Sequence, residues 1–383
     1  MDDKEIGIYI HIPFCKQKCL YCDFPSYAGA ESYMEPYLNA LLEEMTSVGG
    51  KLSDYNIKSI YIGGGTPTYF KTSYIGNILE TCYLHFNIED DAEITIEANP
   101  GTLDRRKLLD LKSFGINRLS LGVQAWQNRL LKFLGRIHDS QQVVSNIQWA
   151  RDAGFDNISV DIMFGLPNQT VEEWMDTLRN VCSLKVEHIS AYSLKIEEGT
   201  ALCTMVQDGV VQPIDESTER YMYHEGISFL KDRGYIQYEI SNFAKGGRKS
   251  VHNLIYWKDR EYMGFGCGAH SYIDRMRQYN YQDIEQYIYA MNKNGQGVEH
   301  KEYIARDVER FEMIMMGLRL TEGVNKLEFK QRFGSSLDSY YGDIISLLKE
   351  DGLLEEDHKA IFLTPRGMDI QNTILLDFLD YMG

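Results

Sequence analysis

Three cysteines, Cys15, Cys19 and Cys22, lie close together near the beginning of the chain, in the stretch IHIPFCKQKCLYCDF. Their spacing is C-x3-C-x2-C, and Phe24 occupies the position two residues after the last cysteine, where a fourth could lie. A zinc site would use a fourth protein ligand, for which His11 is a candidate. An iron–sulfur cube held by three thiolates instead leaves one iron open to a small molecule.

Glycines and polar residues that suit ligand binding recur further along, at the ends of predicted strands. These residues are Gly64, Gly65, Thr66, Glu97, Gln124, Arg136 and Asp161. The consecutive glycines of IGGGTPT let the backbone approach a ligand closely. A carboxylate such as Glu97 accepts hydrogen bonds from ribose hydroxyls, and the guanidinium of Arg136 binds a carboxylate through two parallel hydrogen bonds.

Six β-rich segments alternate with helical patterns and would position these residues. The predicted strands are 6–12, 57–62, 93–98, 117–123, 157–163 and 188–194. The predicted helices lie near 31–48, 72–85, 104–113, 140–153, 170–183 and 216–232. Repeated strand–helix units imply a parallel sheet, so we predict an α/β protein with an open (β/α)6 TIM-like barrel, with a doubly wound sheet as the alternative. In such a barrel, functional residues gather at the carboxyl ends of the strands.

The pattern of predicted strands and helices changes along the chain and divides it into three segments. We predict the barrel over residues 1–235, a connecting region over 236–304 that carries the motif HN-x-x-YW, and a small C-terminal helical domain over 305–383. In this last segment helices precede a two-stranded hairpin, as in a winged helix. It holds 15 acidic and 9 basic residues, which argues against DNA binding because phosphate contacts need local positive charge.

Composition sets further bounds. The 383 residues are 44% hydrophobic and 25% charged, typical of a globular protein, and the formal net charge of −17 argues against nucleic acid as a partner. The acidic start MDDKEIG does not resemble a signal peptide, and no apolar run is long enough to span a membrane. We therefore expect a cytoplasmic protein, in which clustered cysteines are more often metal ligands than disulfides.

The cysteine spacing, with the aromatic Tyr21 just before the last cysteine, resembles the radical S-adenosylmethionine (SAM) superfamily. The resemblance implies a [4Fe–4S] cluster on Cys15, Cys19 and Cys22, with SAM chelating the open iron and yielding a 5′-deoxyadenosyl radical after one-electron cleavage. It implies that Tyr21 packs against the adenine. The SAM-binding residues that it implies are Tyr9, Gly64, Gly65, Thr66, Glu97, Gln124, Arg136 and Asp161.

The segments YIHIPFC, GGGTPT, LGVQ, LGR, DIMFGLPNQT and HNLIYW resemble the oxygen-independent coproporphyrinogen III dehydrogenases of the HemN group and their relatives. Those enzymes have C-x-C at the end of the cysteine loop, where this chain has Phe24, and an N-terminal extension for which this chain leaves no room. Both differences resemble the HemW branch, whose members are regarded as haem chaperones. The dehydrogenase and a different radical reaction remain the alternatives.

The motif HN-x-x-YW resembles one that is typical of HemW proteins. The resemblance implies haem as a third cofactor, with His252 as its iron ligand and Tyr256 and Trp257 stacked on the porphyrin. His270 and Cys267 are alternative ligands. The implied partners are haem and haem-accepting proteins, respiratory ones among them, and peripheral contact with a membrane and a homodimer stay open.

Overall fold

A computed structural model describes residues 4–379, and its largest feature is a twelve-stranded sheet. The strands are β1 (Lys4–Ile12), β2 (Tyr55–Gly64), β3 (Asn87–Ala98), β4 (Arg118–Gln124), β5 (Ile158–Phe164), β6 (His188–Ser193), β7 (Ile236–Gln237), β8 (Asn242–Ala244), β9 (Tyr262–Phe265), β10 (His270–Ile273), β11 (Met276–Asn280) and β12 (Val298–Tyr303). Their order is β12-β11-β10-β9-β1-β2-β3-β4-β5-β6-β8-β7. Strands β1 to β6 pair in parallel, which confirms the predicted open barrel.

Helices cover the outside of the barrel and build the C-terminal domain. They are α1 (Met34–Gly49), α2 (Thr72–His85), α3 (Arg105–Ser113), α4 (Asn128–Phe133), α5 (Ser140–Asp152), α6 (Val171–Ser183), α7 (Ala201–Gln207), α8 (Glu216–Lys231), α9 (Val251–Trp257), α10 (Ile284–Asn294), α11 (Arg306–Gly317), α12 (Lys326–Phe333), α13 (Asp338–Glu350), α14 (Pro365–Asp369) and α15 (Gln371–Leu379). Local sequence fixes several ends: Thr170 and Glu173 form a capping box at the start of α6.

The two faces of the barrel strands differ in polarity. In β1, the alternate residues Ile6, Ile8, Ile10 and Ile12 are buried in the apolar core shared with the helices. The other face of the strands points into the barrel and is polar. Its side chains bond to one another between neighbouring strands, as where the Ser120 hydroxyl donates to the Asp161 carboxylate. The polar lumen makes the interior of the barrel a ligand site rather than an apolar core.

The segment predicted as a connecting region extends the same sheet at both edges. Strands β7 and β8 continue the sheet beyond β6, and β9 to β12 continue it beyond β1. Helix α9, which carries HN-x-x-YW, packs against β1 and β2. Apart from β9, which pairs with β1 in parallel, these short strands pair in antiparallel and lack the helical partners that mark a strand–helix unit. The sequence pattern therefore gave no sign of their membership in the barrel sheet.

Residues from Arg306 onward have an apolar core of their own, which runs from Met313 to Phe378. Helix α11 is followed by the short strand β13 (Val324–Asn325), then by α12 and α13, and then by the hairpin of β14 (Leu354–Glu356) and β15 (Ala360–Leu363). The three strands form an antiparallel sheet, and the hairpin follows the helices as the winged-helix pattern predicts. No helix within residues 4–379 is both long and apolar enough to cross a membrane.

Candidate active site

A cavity of about 390 Å³ opens at the carboxyl ends of the barrel strands and brings most of the predicted site residues together. The predicted residues that line it are Cys15, Cys19, Tyr21, Cys22, Phe24, Gly64, Gly65, Thr66, Glu97, Gln124, Arg136 and Asp161. Tyr9 and His252 do not line it. Because the strands are parallel, residues far apart in sequence meet at this one edge of the sheet.

The cysteine loop is held by main-chain contacts at several points. Cys15 lies in a two-residue strand, Phe14–Cys15, that pairs with Tyr27–Ala28 and closes the loop. The Cys22 amide donates to the Cys19 carbonyl at 3.2 Å, and the Leu20 amide donates to the carbonyl of Leu134 at 3.1 Å. The loop is therefore placed over the barrel mouth by backbone hydrogen bonds that need no metal.

The three thiols face different polar neighbours. The Sγ atom of Cys15 lies 3.6 Å from the Thr66 hydroxyl, and that of Cys22 lies 3.9 Å from the Ser26 hydroxyl. Burial raises the pKa of the Cys15 and Cys22 thiols, so metal binding at this loop must displace protons. Within residues 4–379, no three His, Cys, Asp or Glu side chains converge tightly enough to hold a single metal ion.

The loop fits a cluster better than a zinc ion. A cube is held at its corners, so its thiolate ligands stand apart rather than converge on one point. The zinc alternative used His11 as the fourth ligand. Its Nδ1 atom is hydrogen-bonded to the Tyr9 hydroxyl at 3.0 Å and its Nε2 atom to the Pro25 carbonyl at 2.8 Å, so neither nitrogen is available.

Two glycines bring the backbone of β2 against the cysteine loop. Gly64 has φ +116°, a conformation that other residues rarely adopt, and its amide donates to the Glu97 carboxylate at 3.1 Å. A Cβ atom on Gly65 would lie 2.9 Å from the Cys15 sulfur and 2.9 Å from the Phe14 carbonyl oxygen. Only glycine fits this position without moving the loop.

Two buried carboxylates lie deeper in the cavity. The Tyr61 hydroxyl donates to Glu97 at 2.7 Å, but burial, reinforced by the nearby Asp161 carboxylate, raises the pKa of Glu97 to about 7. Burial likewise raises the pKa of Asp161 to about 6. The charged form of a buried carboxylate is stabilised by hydrogen-bond donors, and the hydroxyls of a ribose are donors that a ligand can supply.

Arg136 connects the cysteine loop to the end of β4. Its Nη2 atom donates to the Gly122 carbonyl at 2.7 Å, and its Nη1 atom lies 3.5 Å from the Cys19 sulfur. Its Nε atom is buried with no hydrogen-bond partner among residues 4–379. Arg136 also lines the cavity, and a guanidinium there is the kind of donor that binds an anionic ligand group such as a carboxylate.

Gln124 points into the cavity because of a local irregularity of the backbone. Its φ is +66°, and the register between β4 and β5 shifts between Gly122 and Gln124. Such a bulge turns a side chain away from the regular alternation of the strand. The Gln124 side chain thus joins the three thiols, the glycines, the two carboxylates and Arg136 around the cavity. This combination of metal ligands and hydrogen-bonding groups fits a [4Fe–4S] cluster and SAM.

Tyr9 lies beneath the cavity rather than on its wall. Its ring stacks on Tyr61 with the ring centroids 6.2 Å apart, and its hydroxyl bonds to His11. Because Tyr61 holds Glu97, Tyr9 supports the wall from below. Tyr9 is therefore placed to support Tyr61 and Glu97, and its predicted role in SAM binding would act through them.

The structure places His252 away from any open surface. The imidazole is 1% exposed, with Nδ1 hydrogen-bonded to the Ser59 hydroxyl at 2.8 Å and Nε2 to the Tyr256 hydroxyl at 3.0 Å. Burial, with Arg118 nearby, lowers the pKa of His252 to about 3. Both ring nitrogens of the predicted iron ligand are therefore engaged, one by Ser59 of β2 and the other by Tyr256 of α9 itself.

The aromatic residues of the same motif contact other side chains of the chain. The Tyr256 hydroxyl is taken by His252, and the Trp257 ring lies under the Arg319 guanidinium at 4.3 Å from the ring centroid. Arg319 belongs to the C-terminal part of the chain and also pairs with the buried Glu239, with Nη2 and Oε2 3.4 Å apart. The motif therefore packs helix α9 between the barrel and the C-terminal domain.

Several cavity residues were not predicted from the sequence. They are Gln17, Lys18, Ser26, Tyr61, Ala98, Asn99, Arg118, Ser120, Gly122, Met163, Ser190, Tyr192 and Asn253. The signal was present in the strands: Arg118 and Ser120 alternate with apolar residues, as do Ser190 and Tyr192. Polar residues at every second position of an otherwise apolar strand indicate a polar barrel lumen.

The raised pKa of Glu97 gives a testable pH dependence for SAM binding. We expect the SAM affinity of reconstituted protein to fall as the pH is lowered from 8 to 6, because protonation through a pKa of about 7 removes the carboxylate that accepts ligand hydroxyls. Glu97→Gln is expected to bind SAM more weakly at pH 8 and to lack the part of the pH dependence that Glu97 causes. Titration calorimetry on both proteins measures this; identical profiles would remove Glu97 from the site.

Comparison with known proteins places these features in a family. Residues 9–181 match the model of the radical SAM superfamily, and residues 304–370 match that of the HemN C-terminal domain. A Bacillus subtilis protein named "Heme chaperone HemW" is 38% identical over 97% of this chain and 98% of its own length. The Escherichia coli protein of the same name is 35% identical over 98% of both chains.

Among solved structures, the coproporphyrinogen III oxidase HemN from Escherichia coli is similar over 98% of this chain and 90% of its own, with a TM-score of 0.86. Its 23% identity supports the shared fold alone. The superfamily match confirms the predicted [4Fe–4S] cluster and SAM as cofactors of this fold. The full-length similarity to curated relatives shows that the chain belongs to the HemW family of radical SAM proteins.

Proposed function

We propose that this protein is a haem chaperone: it binds a [4Fe–4S] cluster, SAM and haem, and transfers haem to acceptor proteins. The observation that carries the proposal is the match over nearly the whole chain to several curated relatives named "Heme chaperone HemW". Phe24 supports it. This residue, at the position where the dehydrogenases have a further cysteine, is 62% exposed at the mouth of the cavity.

In this proposal the chain's own residues build the cofactor site. Cys15, Cys19 and Cys22 would hold the cluster, and the Arg136 guanidinium would orient the SAM carboxylate. The backbone of Gly64 to Thr66 receives the methionine amino group, and Glu97 and Asp161 receive ribose hydroxyls. Tyr21 packs against the adenine. The bound pair supplies one-electron chemistry, and the cavity walls separate it from bulk water.

The proposed partners follow from haem transfer. The acceptors are haem proteins, respiratory ones among them, which the chaperone meets in the cytoplasm or by peripheral contact with a membrane. A homodimer is compatible with this role. Oxidative decarboxylation of coproporphyrinogen III is the competing function, because the fold of HemN covers nearly the whole chain.

The decisive experiment pairs haem titration with a turnover assay on anaerobically reconstituted protein. We expect about one haem per chain from the titration, and no conversion of coproporphyrinogen III to protoporphyrinogen IX with SAM and a low-potential reductant. The HemN enzyme assayed alongside shows that the reagents are active. Turnover by this chain would overturn the chaperone proposal, and so would the absence of haem binding.

A further inference from the structure

Phe24 is the exposed aromatic side chain without a polar atom. Among residues 4–379, the other exposed aromatic side chains are tyrosines, which carry a hydroxyl: Tyr83, Tyr192, Tyr221, Tyr289 and Tyr303. Within the same residues, only Phe24 and Tyr192 of this group line the cavity of the candidate active site. Exposed rings at the mouth of a cavity differ from apolar residues scattered over a surface, because they adjoin a place where a ligand binds.

The backbone that carries the Phe24 ring is held in place by hydrogen bonds. The Phe24 carbonyl accepts from the Ser26 hydroxyl at 3.2 Å and from the Lys18 ammonium at 3.3 Å. The next carbonyl, that of Pro25, is hydrogen-bonded to Nε2 of His11 at 2.8 Å. The exposed ring therefore stands on a fixed segment, and a ligand that binds on it loses little conformational entropy of the protein.

The loop around Phe24 is basic, although the chain as a whole is acidic with a net charge of −17. Between residues 13 and 28 it contains the exposed Lys16 and Lys18 and a single carboxylate, that of Asp23. The Lys18 ammonium donates to the carbonyls of Phe24 and Ser26, which carry no net charge. An ammonium has three N–H groups, so Lys18 keeps its positive charge and one further donor for an anionic group.

We propose that Phe24 is the platform on which the porphyrin face of haem lies, at the mouth of the cavity, with a haem propionate paired to Lys18. This inference rests on the proposed haem-chaperone function and assigns a place to haem within it. Haem is a flat apolar ring with two carboxylates on one edge, so an exposed phenyl ring beside an ammonium matches both of its parts. No covalent bond forms and no electron is transferred.

This platform lies over the mouth of the SAM cavity rather than inside the barrel. Phe24 is two residues from Cys22, a distance of at most about 7 Å along the chain, so the haem would lie beside the cysteine loop. Contact through the porphyrin face needs no protein ligand on the iron. The proposal is therefore compatible with the engagement of both ring nitrogens of His252.

The experiment titrates ferric haem and iron-free protoporphyrin IX into anaerobically reconstituted wild-type protein and variants, followed by absorbance and fluorescence. Phe24→Ala is expected to bind both porphyrins about tenfold more weakly than wild type, because contact with the porphyrin face does not involve the iron. Phe24→Trp keeps a flat apolar ring and is expected to stay close to wild type. Phe24→Leu keeps apolar bulk without the flat ring, and its affinities are expected to lie below those of Phe24→Trp.

The charge of Lys18 is tested separately. Lys18→Ala is expected to weaken the binding of both porphyrins at low ionic strength, and the difference should shrink at about 0.5 M salt because an exposed ion pair is screened. Lys18→Arg keeps the charge and should bind as wild type does. Tyr289→Ala is the matched control, because Tyr289 is an exposed aromatic residue on α10 that does not line the cavity, and it should change neither affinity.

The possible failures are distinguishable. If wild-type protein binds no haem, the proposed function fails. If it binds haem and Phe24→Ala has the same affinity for both porphyrins, the function stands and the platform falls; a changed oligomeric state in that variant then assigns the ring to contact with a second copy. An effect on haem without one on protoporphyrin IX also overturns the platform. Cluster content is measured throughout, and if Phe24→Ala takes up less cluster, the comparison of Phe24→Leu with Phe24→Trp decides.

Discussion

Cys19→Ala is expected to abolish the iron–sulfur cluster. Three thiolates are the whole protein ligand set that the loop offers, and two of them cannot hold a cube against loss to solvent or chelators. Cys19 also lies beside Arg136, so its removal takes away the thiolate that this guanidinium faces. After anaerobic reconstitution, we expect about four irons per wild-type chain and background iron in the variant, by iron and sulfide analysis and by electron paramagnetic resonance of the reduced protein.

Cys182→Ala is the matched control for this prediction, because Cys182 is a partly buried cysteine on α6, far from the cavity wall. It should retain a full cluster. A Cys19→Ala protein with four irons would show that the loop is not the binding site. A wild-type protein that takes up one zinc per chain and no cluster would restore the zinc alternative, even though both nitrogens of His11 are occupied.

The barrel was predictable from sequence because each strand–helix unit carries its own local signals. Strand β5 was expected over 157–163 and runs Ile158–Phe164, and α2 was expected over 72–85 and has those bounds. Strand β3 starts earlier than expected, at Asn87 rather than residue 93. The first half of this strand, NIEDDA, is mostly polar and lies at the amino end of the strand, where charged side chains reach solvent. Its β propensity is therefore too low to indicate a strand from sequence.

The cofactor site was predictable to the extent that its residues lie at strand ends, since parallel strands bring their carboxyl ends together. The surroundings of His252 were not predictable from its motif. Whether an imidazole is exposed depends on tertiary packing, and here Ser59, which precedes it by nearly two hundred residues, takes one nitrogen.

Arg136→Ala is expected to weaken SAM binding by about 1.5–3 kcal/mol, or roughly 10- to 150-fold, the scale of a charge-assisted hydrogen bond in a buried site. Arg136 lines the cavity and its Nη2 atom is anchored to the Gly122 carbonyl, so the guanidinium is already oriented before the ligand arrives. Preorganisation means that little conformational entropy is lost on binding. Anaerobic titration calorimetry with SAM on cluster-loaded protein measures the change.

Two further variants separate positioning from simple charge. Arg129→Ala removes an arginine that is bound to Glu173 outside the cavity, and it should leave SAM affinity unchanged. Arg136→Lys keeps the positive charge but loses the planar fork, so an affinity between wild type and Arg136→Ala indicates that fork geometry contributes beyond charge. Because Arg136 also faces Cys19, iron content must equal that of wild type in each variant. An unchanged affinity in Arg136→Ala at full cluster content would remove Arg136 from the SAM site.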